Sequence, residues 1–328
     1  MQRHFGDGVL ATLGNQNNAL GVSLNLLRLN FSYNVAAIEM GANAHGEITH
    51  LGQIVKLDIA VITNVGLDHI PGFGGIEGAA RANGEVFATM DNNNGIAIVN
   101  GDDPCQLIWR SQLGKRPYIK FGLMPRVDVR GYWHPTINGG ELTIASPWGK
   151  IQSHLHLMGQ HNALNALAAA TTCLMTGVAP ETIAAGLAEV NPIKGRLKTQ
   201  FAVRGTLIID DTYNANPSSL MAALETLSFL PGKKILVLGD MAELGDQAEA
   251  WHIQAGIAAR SAGVELLFAV GELARFAANS FGLGGIYFHN NQALIKDLLP
   301  QLGTDMNILI KGSRYMALED VVEKLLKS

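Results

Sequence analysis

The sequence predicts an α/β protein built on two mostly parallel sheets, and three observations carry that prediction. Apolar runs of strand length alternate with helical patterns along the first hundred residues. The alternation restarts after NPIKGRLK and continues to the end as five strand-and-helix repeats. The 328 residues are too many for one ordinary core and suit two. Strands alternating with helices argue a sheet covered on both faces.

The first domain is placed at residues 1–193. Its strands are VAAIEMGAN (35–43), IAVITNVG (59–66) and GIAIVNGDDP (95–104), each ending in a polar or glycine-rich turn. Helical patterns occupy NNALGVSLNLLRL (17–29) and GIEGAARANGEVFATM (75–90). Residues 117–158 read as short strands, PYIKFG, DVRGYW, INGGELTIAS with a Gly-Gly turn, and KIQSHLHL, which together suggest a small antiparallel insertion. Helices resume at HNALNALAAATTCLMTG (161–177) and PETIAAGLAEV (180–190), where Pro180 suits a first helical turn. The boundary is expected near Pro192–Arg196. The second domain, 194–328, carries TLIIDD, KILVLGD, LLFAVG, GIYFH and NILIKGS, each followed by a helix. That is a doubly wound, Rossmann-like pattern.

Composition excludes several classes of function. The net charge is −4 and no basic run occurs, which argues against nucleic acid binding by broad phosphate neutralisation. Cys105 and Cys173 sit in no CxxC pattern and read as free thiols in a reducing cytoplasm. No apolar run reaches the roughly 18 residues of a membrane span. The start, MQRHFGDGVL, lacks the apolar core of a signal peptide. A cytoplasmic monomer is expected.

The chemistry gathers where strands end. Ligands of open α/β sheets collect at the carboxyl ends of strands. In LIIDDTYNANPSSLMAAL, Asn216 is a good N-cap and Pro217 a good first helical residue. A capped turn explains those two, but not Asp210, Asp211, Tyr213 and Asn214 together. VLGDMAELG adds Asp240 and Glu243, and ILIKGSR adds Lys311, Ser313 and Arg314. Acidic, amide and basic groups along one sheet edge suit a zwitterionic or phosphorylated ligand.

DDTYNANPSS, LGDMAELG, KGSR, LMGQHNALNALAA, IEMGAN and NVGLDHIPGFG together resemble the Mur ligase family over essentially the whole chain. The combination of DMAELG, YNANP and KGSR is most similar to members that add D-alanyl-D-alanine to a UDP-N-acetylmuramoyl-tripeptide for peptidoglycan. The resemblance implies an ATP-dependent ligase that phosphorylates a carboxylate and lets an amine attack the acyl phosphate. It implies an ATPase-type first domain and Mg2+, because several negative oxygens must come together. By the same resemblance, Glu39 binds magnesium and His69 helps hold a second metal. Asn162 meets the adenine, Arg196 reaches the phosphates, and Asp211 binds the ribose across the domain gap. Tyr213, Asn214 and Asn216 border the reaction site. Lys311 joins Arg196 as a catalytic candidate, while Asp240, Glu243, Ser313 and Arg314 line the cleft. Plainer readings stay open: His69 as a turn histidine and Asn162 as an N-cap.

The sequence also departs from the family pattern. The family's glycine-rich GxxGKT phosphate loop is not found, and Lys115 in SQLGKRP lacks both the earlier glycine and the following Ser or Thr. Met1 therefore reads as an internal methionine or the start of a fragment without the uridine-binding N-terminal domain. Loss of the first strand is expected to expose a sheet edge or a hydrophobic face. Asn83, in RANGEVF, stands where the family carries a carbamylated lysine that bridges metals, and Pro71 stands where an acid is common. The chain as written is expected to bind ATP poorly and not to turn over. Another amide ligase of the family, or a non-catalytic binding module, remains the alternative.

Overall fold

The computed structural model describes residues 1–66, 70–91 and 93–327. They form two compact units. The first comprises Met1–His134, Glu141–Leu155 and Asn162–Val190; the second comprises Pro135–Gly140, His156–His161 and Asn191–Ser328.

From the N-terminus run α1 (Gln2–Phe5), β1 (Val9–Ala11), α2 (Ala19–Leu26), β2 (Val35–Ala37), α3 (Glu47–Val55), β3 (Ile59–Ile62), α4 (Ile70–Phe73), α5 (Ile76–Gly84), β4 (Ile96–Asn100) and α6 (Gln106–Leu113). There follow β5 (Tyr118–Gly122), β6 (Val129–Thr136), β7 (Gly139–Ser146), β8 (Gly149–Leu155), α7 (Gln160–Met175) and α8 (Pro180–Ala188). Pro180 opens α8, where its missing N–H would have no intrahelical partner. Strands β3 to β8 form one six-stranded sheet in chain order. Ile98 of β4 faces a core with Phe121, Leu142, Ile151 and Leu167, while Ala97 and Val99 face another with Ile48, Phe87 and Trp109. The two-residue period of a strand explains that division.

Three expectations need correction. Residues 117–158 are no separate antiparallel insertion. β5 lies parallel to β4, using α6 as its crossover, and β6 begins parallel to β5 through Phe121↔Val129 and Gly122↔Arg130. Six residues between β5 and β6 are too few for a helical crossover, so their parallel contact stays short. Only β6, β7 and β8 are joined by tight turns. The first of these turns is Ile137–Asn138 rather than the Gly-Gly pair, which already belongs to β7. Finally, the strand expected over 35–43 is three residues long, because its ladder partner β1 offers only Val9–Ala11.

No ladder joins β1–β2 to the six-stranded sheet among the described residues. Ala36 and Ala37 are exposed. On α2 and just beyond it, Leu20, Leu24 and Leu27 are exposed at i, i+4 and i+7, the spacing of one helical face, and Phe31 is fully exposed a little further on. Helix α3 has no counterpart in the sequence reading. Its first turn is held by the Glu85 carboxylate, which accepts from the N–H groups of Gly46 (2.8 Å) and Thr49 (3.2 Å).

The second unit continues with β9 (Lys198–Phe201), β10 (Leu207–Asp211), α9 (Pro217–Ser228), β11 (Lys233–Gly239), α10 (Ala248–Ser261), β12 (Leu266–Val270), α11 (Ala274–Phe281), β13 (Gly285–Phe288), α12 (Asn291–Leu298), β14 (Met306–Lys311) and α13 (Glu319–Leu326). The sheet order is β13-β12-β11-β14-β10-β9. All neighbours are parallel except β9, an antiparallel edge strand that the sequence does not signal. Each central strand divides its side chains between two cores. Ile209, Leu236, Leu238 and Leu309 pack with α9, α10 and α11, whereas Ile208, Val237, Phe268 and Ile310 pack with α12 and α13. Near-continuous apolar strands are what a sheet buried on both faces requires.

Leu236→Ala is expected to cost about 2–5 kcal/mol in urea unfolding, because a fully buried side chain leaves a cavity. Leu27→Lys should change stability by less than about 0.5 kcal/mol and reduce binding of a hydrophobic dye. A comparable loss in both variants would contradict the exposed assignment of the α2 face.

Candidate functional site

The carboxyl ends of β10, β14 and β11 lie side by side, with Lys311 of β14 in register with Asp211 on one flank and Leu238 on the other. Lys311 is only 1% exposed. A buried ammonium is costly unless paired and hydrogen-bonded. Here Nζ donates to Asp211 Oδ2 at 2.6 Å and to the Asn214 carbonyl at 2.9 Å. Asp211 Oδ1 accepts from the Leu197 N–H at 3.2 Å. Asp210 is buried too. Its Oδ1 accepts from Thr212 Oγ1 at 2.7 Å and its Oδ2 from the Gly195 N–H at 3.0 Å.

Segment 194–197 is thus laced to the end of β10. The Gly195 carbonyl accepts from the Tyr213 N–H at 3.0 Å. Gly195 has φ +81°, and a Cβ there would lie 3.0 Å from Tyr213 N, so both conformation and space demand glycine. The exposed Arg196 guanidinium stands 4.4 Å from the centre of the Tyr213 ring, a cation–π contact. Two residues predicted for the site therefore meet.

The other two loops interlock with this one. The Ser313 N–H donates to the Asp240 carbonyl at 2.9 Å. Ser313 Oγ accepts from the Ala242 N–H at 2.8 Å and donates to the Ala215 carbonyl at 3.4 Å. Asp240 Oδ1 accepts from the N–H groups of Leu273 (3.0 Å) and Ala274 (2.7 Å), placing negative charge at the positive start of α11. Tyr315 donates its hydroxyl to Asp240 Oδ2 at 3.3 Å. Burial first, and then the charge and hydrogen bond of Asp240, push the Tyr315 hydroxyl up to about 12.

Several site candidates have clear local duties. Asn216 caps α9: its Oδ1 accepts from the Ser219 N–H at 2.7 Å, and Ser219 Oγ accepts from the Asn216 N–H at 3.1 Å. Asn214 Oδ1 accepts from the Ala215 N–H at 2.8 Å. Glu243 is exposed, with φ +61°. Arg314 is exposed, 3.3 Å from Glu319 Oε1. Two contributors escape sequence reasoning, Tyr315 and His252. His252 is fully buried; its Nε2 accepts from the Met241 N–H at 3.0 Å, and its Nδ1–H donates to the Ala248 carbonyl at 2.7 Å. Burial lowers its pKa, so it is a neutral brace for the DMAELG loop. A histidine amid ordinary helical residues offers no sequence signal of that duty.

In the first unit Glu39 is exposed beyond the end of β2, and its Oε1 accepts from Asn17 Nδ2 at 2.9 Å. Magnesium takes one or two carboxylates and keeps several waters, so Glu39 fits as one ligand. His69 lies outside the described residues. Among those described, no three His, Cys, Asp or Glu side chains converge on a metal-sized site. Asn83 sits in the last turn of α5 as a neutral amide. Asn162 is the third residue of α7 rather than its N-cap, so the capping alternative fails; its Oδ1 accepts from Asn165 Nδ2 at 3.4 Å. His161 belongs to the second unit. Its Nδ1 is buried with no hydrogen-bond partner among the described residues. Burial lowers its pKa, against a smaller opposite influence of Asp211.

Comparison with known proteins finds two family domains along the chain. The Mur ligase middle domain matches residues 1–173, and the Mur ligase glutamate ligase domain matches residues 195–314. The UDP-N-acetylmuramoyl-tripeptide–D-alanyl-D-alanine ligase of Escherichia coli (strain K12) is 39% identical over 322 residues, 96% of this chain and 70% of that protein. The ligase of the same name from Bacillus subtilis (strain 168) is 34% identical, over 97% of this chain and 70% of its own. Among solved structures, MurF from Acinetobacter baumannii matches with a TM-score of 0.90 at 32% identity, covering 99% of this chain and 73% of that one. MurF from Thermotoga maritima, solved with ADP, gives 0.84 at 26% identity, over 97% and 73%.

Two measurements probe the network. Lys311→Ala is expected to destabilise the second unit by about 3–5 kcal/mol, since it leaves a buried carboxylate unpaired, and Lys311→Met with Asp211→Leu should recover most of that loss. In a difference titration against Tyr315→Phe, the Tyr315 phenol should ionise near pH 12 rather than 10. Because the folded state holds that proton more tightly, its stabilising contribution is complete below pH 10 and is lost as pH rises through 12. Ionisation at pH 10 would contradict the burial of that hydroxyl beside Asp240.

Proposed function

The chain belongs to the Mur ligase family, and on that premise we propose that it carries the middle and C-terminal domains of an ATP-dependent ligase that adds D-alanyl-D-alanine to a UDP-N-acetylmuramoyl-tripeptide. One observation carries the choice within the family. The YNANP, DMAELG and KGSR loops form one hydrogen-bonded cluster, through Lys311 to Asn214, Ser313 to Ala215, and Ser313 to Asp240. The segments whose combination singles out this activity in the sequence are therefore built as one surface. No helix among the described residues is long and apolar enough to cross a membrane.

In this reading ATP transfers its terminal phosphoryl group to the tripeptide carboxylate and leaves as ADP. The dipeptide amine then attacks the acyl carbon, loses a proton, and expels phosphate as the amide forms. Magnesium bound at Glu39 would neutralise phosphate oxygens. Asp211, held by Lys311 and Leu197, presents a fixed carboxylate for the ribose hydroxyls. Lys311 is buried on Asp211 and acts as the positioning residue of that pair. Arg196, braced on Tyr213, supplies positive charge for phosphate. Asn162 takes the adenine. A non-catalytic module is the second reading, and the observation favouring it is Asn83, a neutral amide where the family uses a charged bridging group.

The test is a chimera in which the N-terminal part of the Acinetobacter baumannii relative precedes this chain. Phosphate release should require ATP, the tripeptide precursor and D-alanyl-D-alanine together. Release driven instead by D-glutamate or a diamino acid would transfer the chain to another branch of the family. Asn83→Lys in that chimera is expected to raise the rate about tenfold or more in the presence of bicarbonate; an unchanged rate would remove position 83 from the chemistry.

A further inference from the structure

The segments KGR (194–196) and KGSR (311–314) bring four cations to the strand-end surface of the second unit, and both lysines are paired with carboxylates. Lys311 is buried on Asp211 and Asn214, Lys194 is bound to Glu323 at 2.9 Å, and Arg196 lies over the Tyr213 ring. Arg314 differs. Its side chain is 67% exposed, and its charge contact among the described residues is Glu319 Oε1 at 3.3 Å. That contact uses a single guanidinium nitrogen of a group with five N–H donors in a fixed fork. Glu319 itself keeps a buried Oε2 with no hydrogen-bond partner among the described residues, so the pair as it stands is incompletely satisfied. Tyr315, next in sequence, has its hydroxyl tied to Asp240 and its ring exposed.

Resting on the function proposed above, we propose that Arg314 binds the terminal carboxylate of the incoming D-alanyl-D-alanine and so selects a free dipeptide acid. A guanidinium matches a carboxylate with two parallel hydrogen bonds, which an ammonium cannot do. The dipeptide has one charge to place at the end away from its reacting amine, and two extended residues span at most about 7 Å. Arg314 lies three residues after Lys311, just beyond the end of β14, which puts a cation with donors to spare at the rim of the site rather than at its centre. The exposed Tyr315 ring offers a surface for an alanine methyl group.

Ligand-observed NMR titration of the 328-residue chain distinguishes the outcomes, using D-alanyl-D-alanine, its C-terminal carboxamide and inorganic triphosphate as probes. The unaltered chain should bind the acid about tenfold to a hundredfold more tightly than the carboxamide, the usual worth of charge-assisted hydrogen bonds. Arg314→Met should bind the two alike, with triphosphate binding unchanged, and Arg314→Lys should fall between. If Arg314→Met does not fold, the Lys variant carries the test, and full retention of acid selectivity there overturns the proposal. Equal loss of acid and carboxamide binding, or a selective loss of triphosphate binding, also overturns it. If the unaltered chain binds acid and carboxamide with equal affinity, Arg314 loses this role while the ligase reading stands. If the chain binds neither, the Arg314 proposal falls, and the chimera decides the ligase reading separately.

Discussion

The second unit is organised by one buried charge pair. Lys311 ends the central strand of the sheet, between β10 and β11, where its ammonium is shielded from solvent. Burying that charge is tolerable only because Asp211 and the Asn214 carbonyl stand within hydrogen-bond distance. Such a pair contributes little net stability, since desolvation offsets most of the attraction. Its effect is geometric. Asp211 cannot turn away without stranding Lys311, the Asn214 carbonyl fixes the loop before α9, and the Leu197 N–H on the other carboxylate oxygen fixes the segment that enters the unit.

Around that pair the polar residues separate into two sets. Asp210, Ser313, Asp240 and His252 are buried and turned inward on backbone groups, holding the loops to one another. Arg196 with Tyr213, and Arg314 with Tyr315, are exposed and turned outward. The inward set makes the platform, and the outward set gives it chemistry. The sheet beneath is rigid for a simpler reason: alternate residues of every central strand are packed by helices on both faces.

In the first unit a short ladder has the opposite effect. β1 and β2 pair over three residues, and among the described residues no ladder connects them to the sheet that begins at β3. Glu39 therefore comes after a short strand rather than a continuous buried one, and it is exposed. The same region carries the apolar α2 face. The chain covers about seven-tenths of the Escherichia coli and Bacillus subtilis relatives.

Much of this is legible in the residues. Apolar runs at strand length and helical spacing locate most elements, Pro180 and Asn216–Pro217 mark two helix starts, and the strand ends draw attention to Asp211, Lys311 and Ser313. Those features are local, set by side-chain periodicity and backbone capping, and local rules survive in any tertiary setting. The partners of β5, β6 and β9, the brevity of β2 and the turn at Ile137–Asn138 are not legible, because pairing is decided by segments distant in sequence. Nor can sequence divide the polar residues. Asp210 and Asp211 are adjacent, yet one braces Gly195 and the other neutralises a lysine one hundred residues away. Only folding brings that lysine beside its acid, and only the resulting burial decides which charges hold the structure and which remain for a ligand.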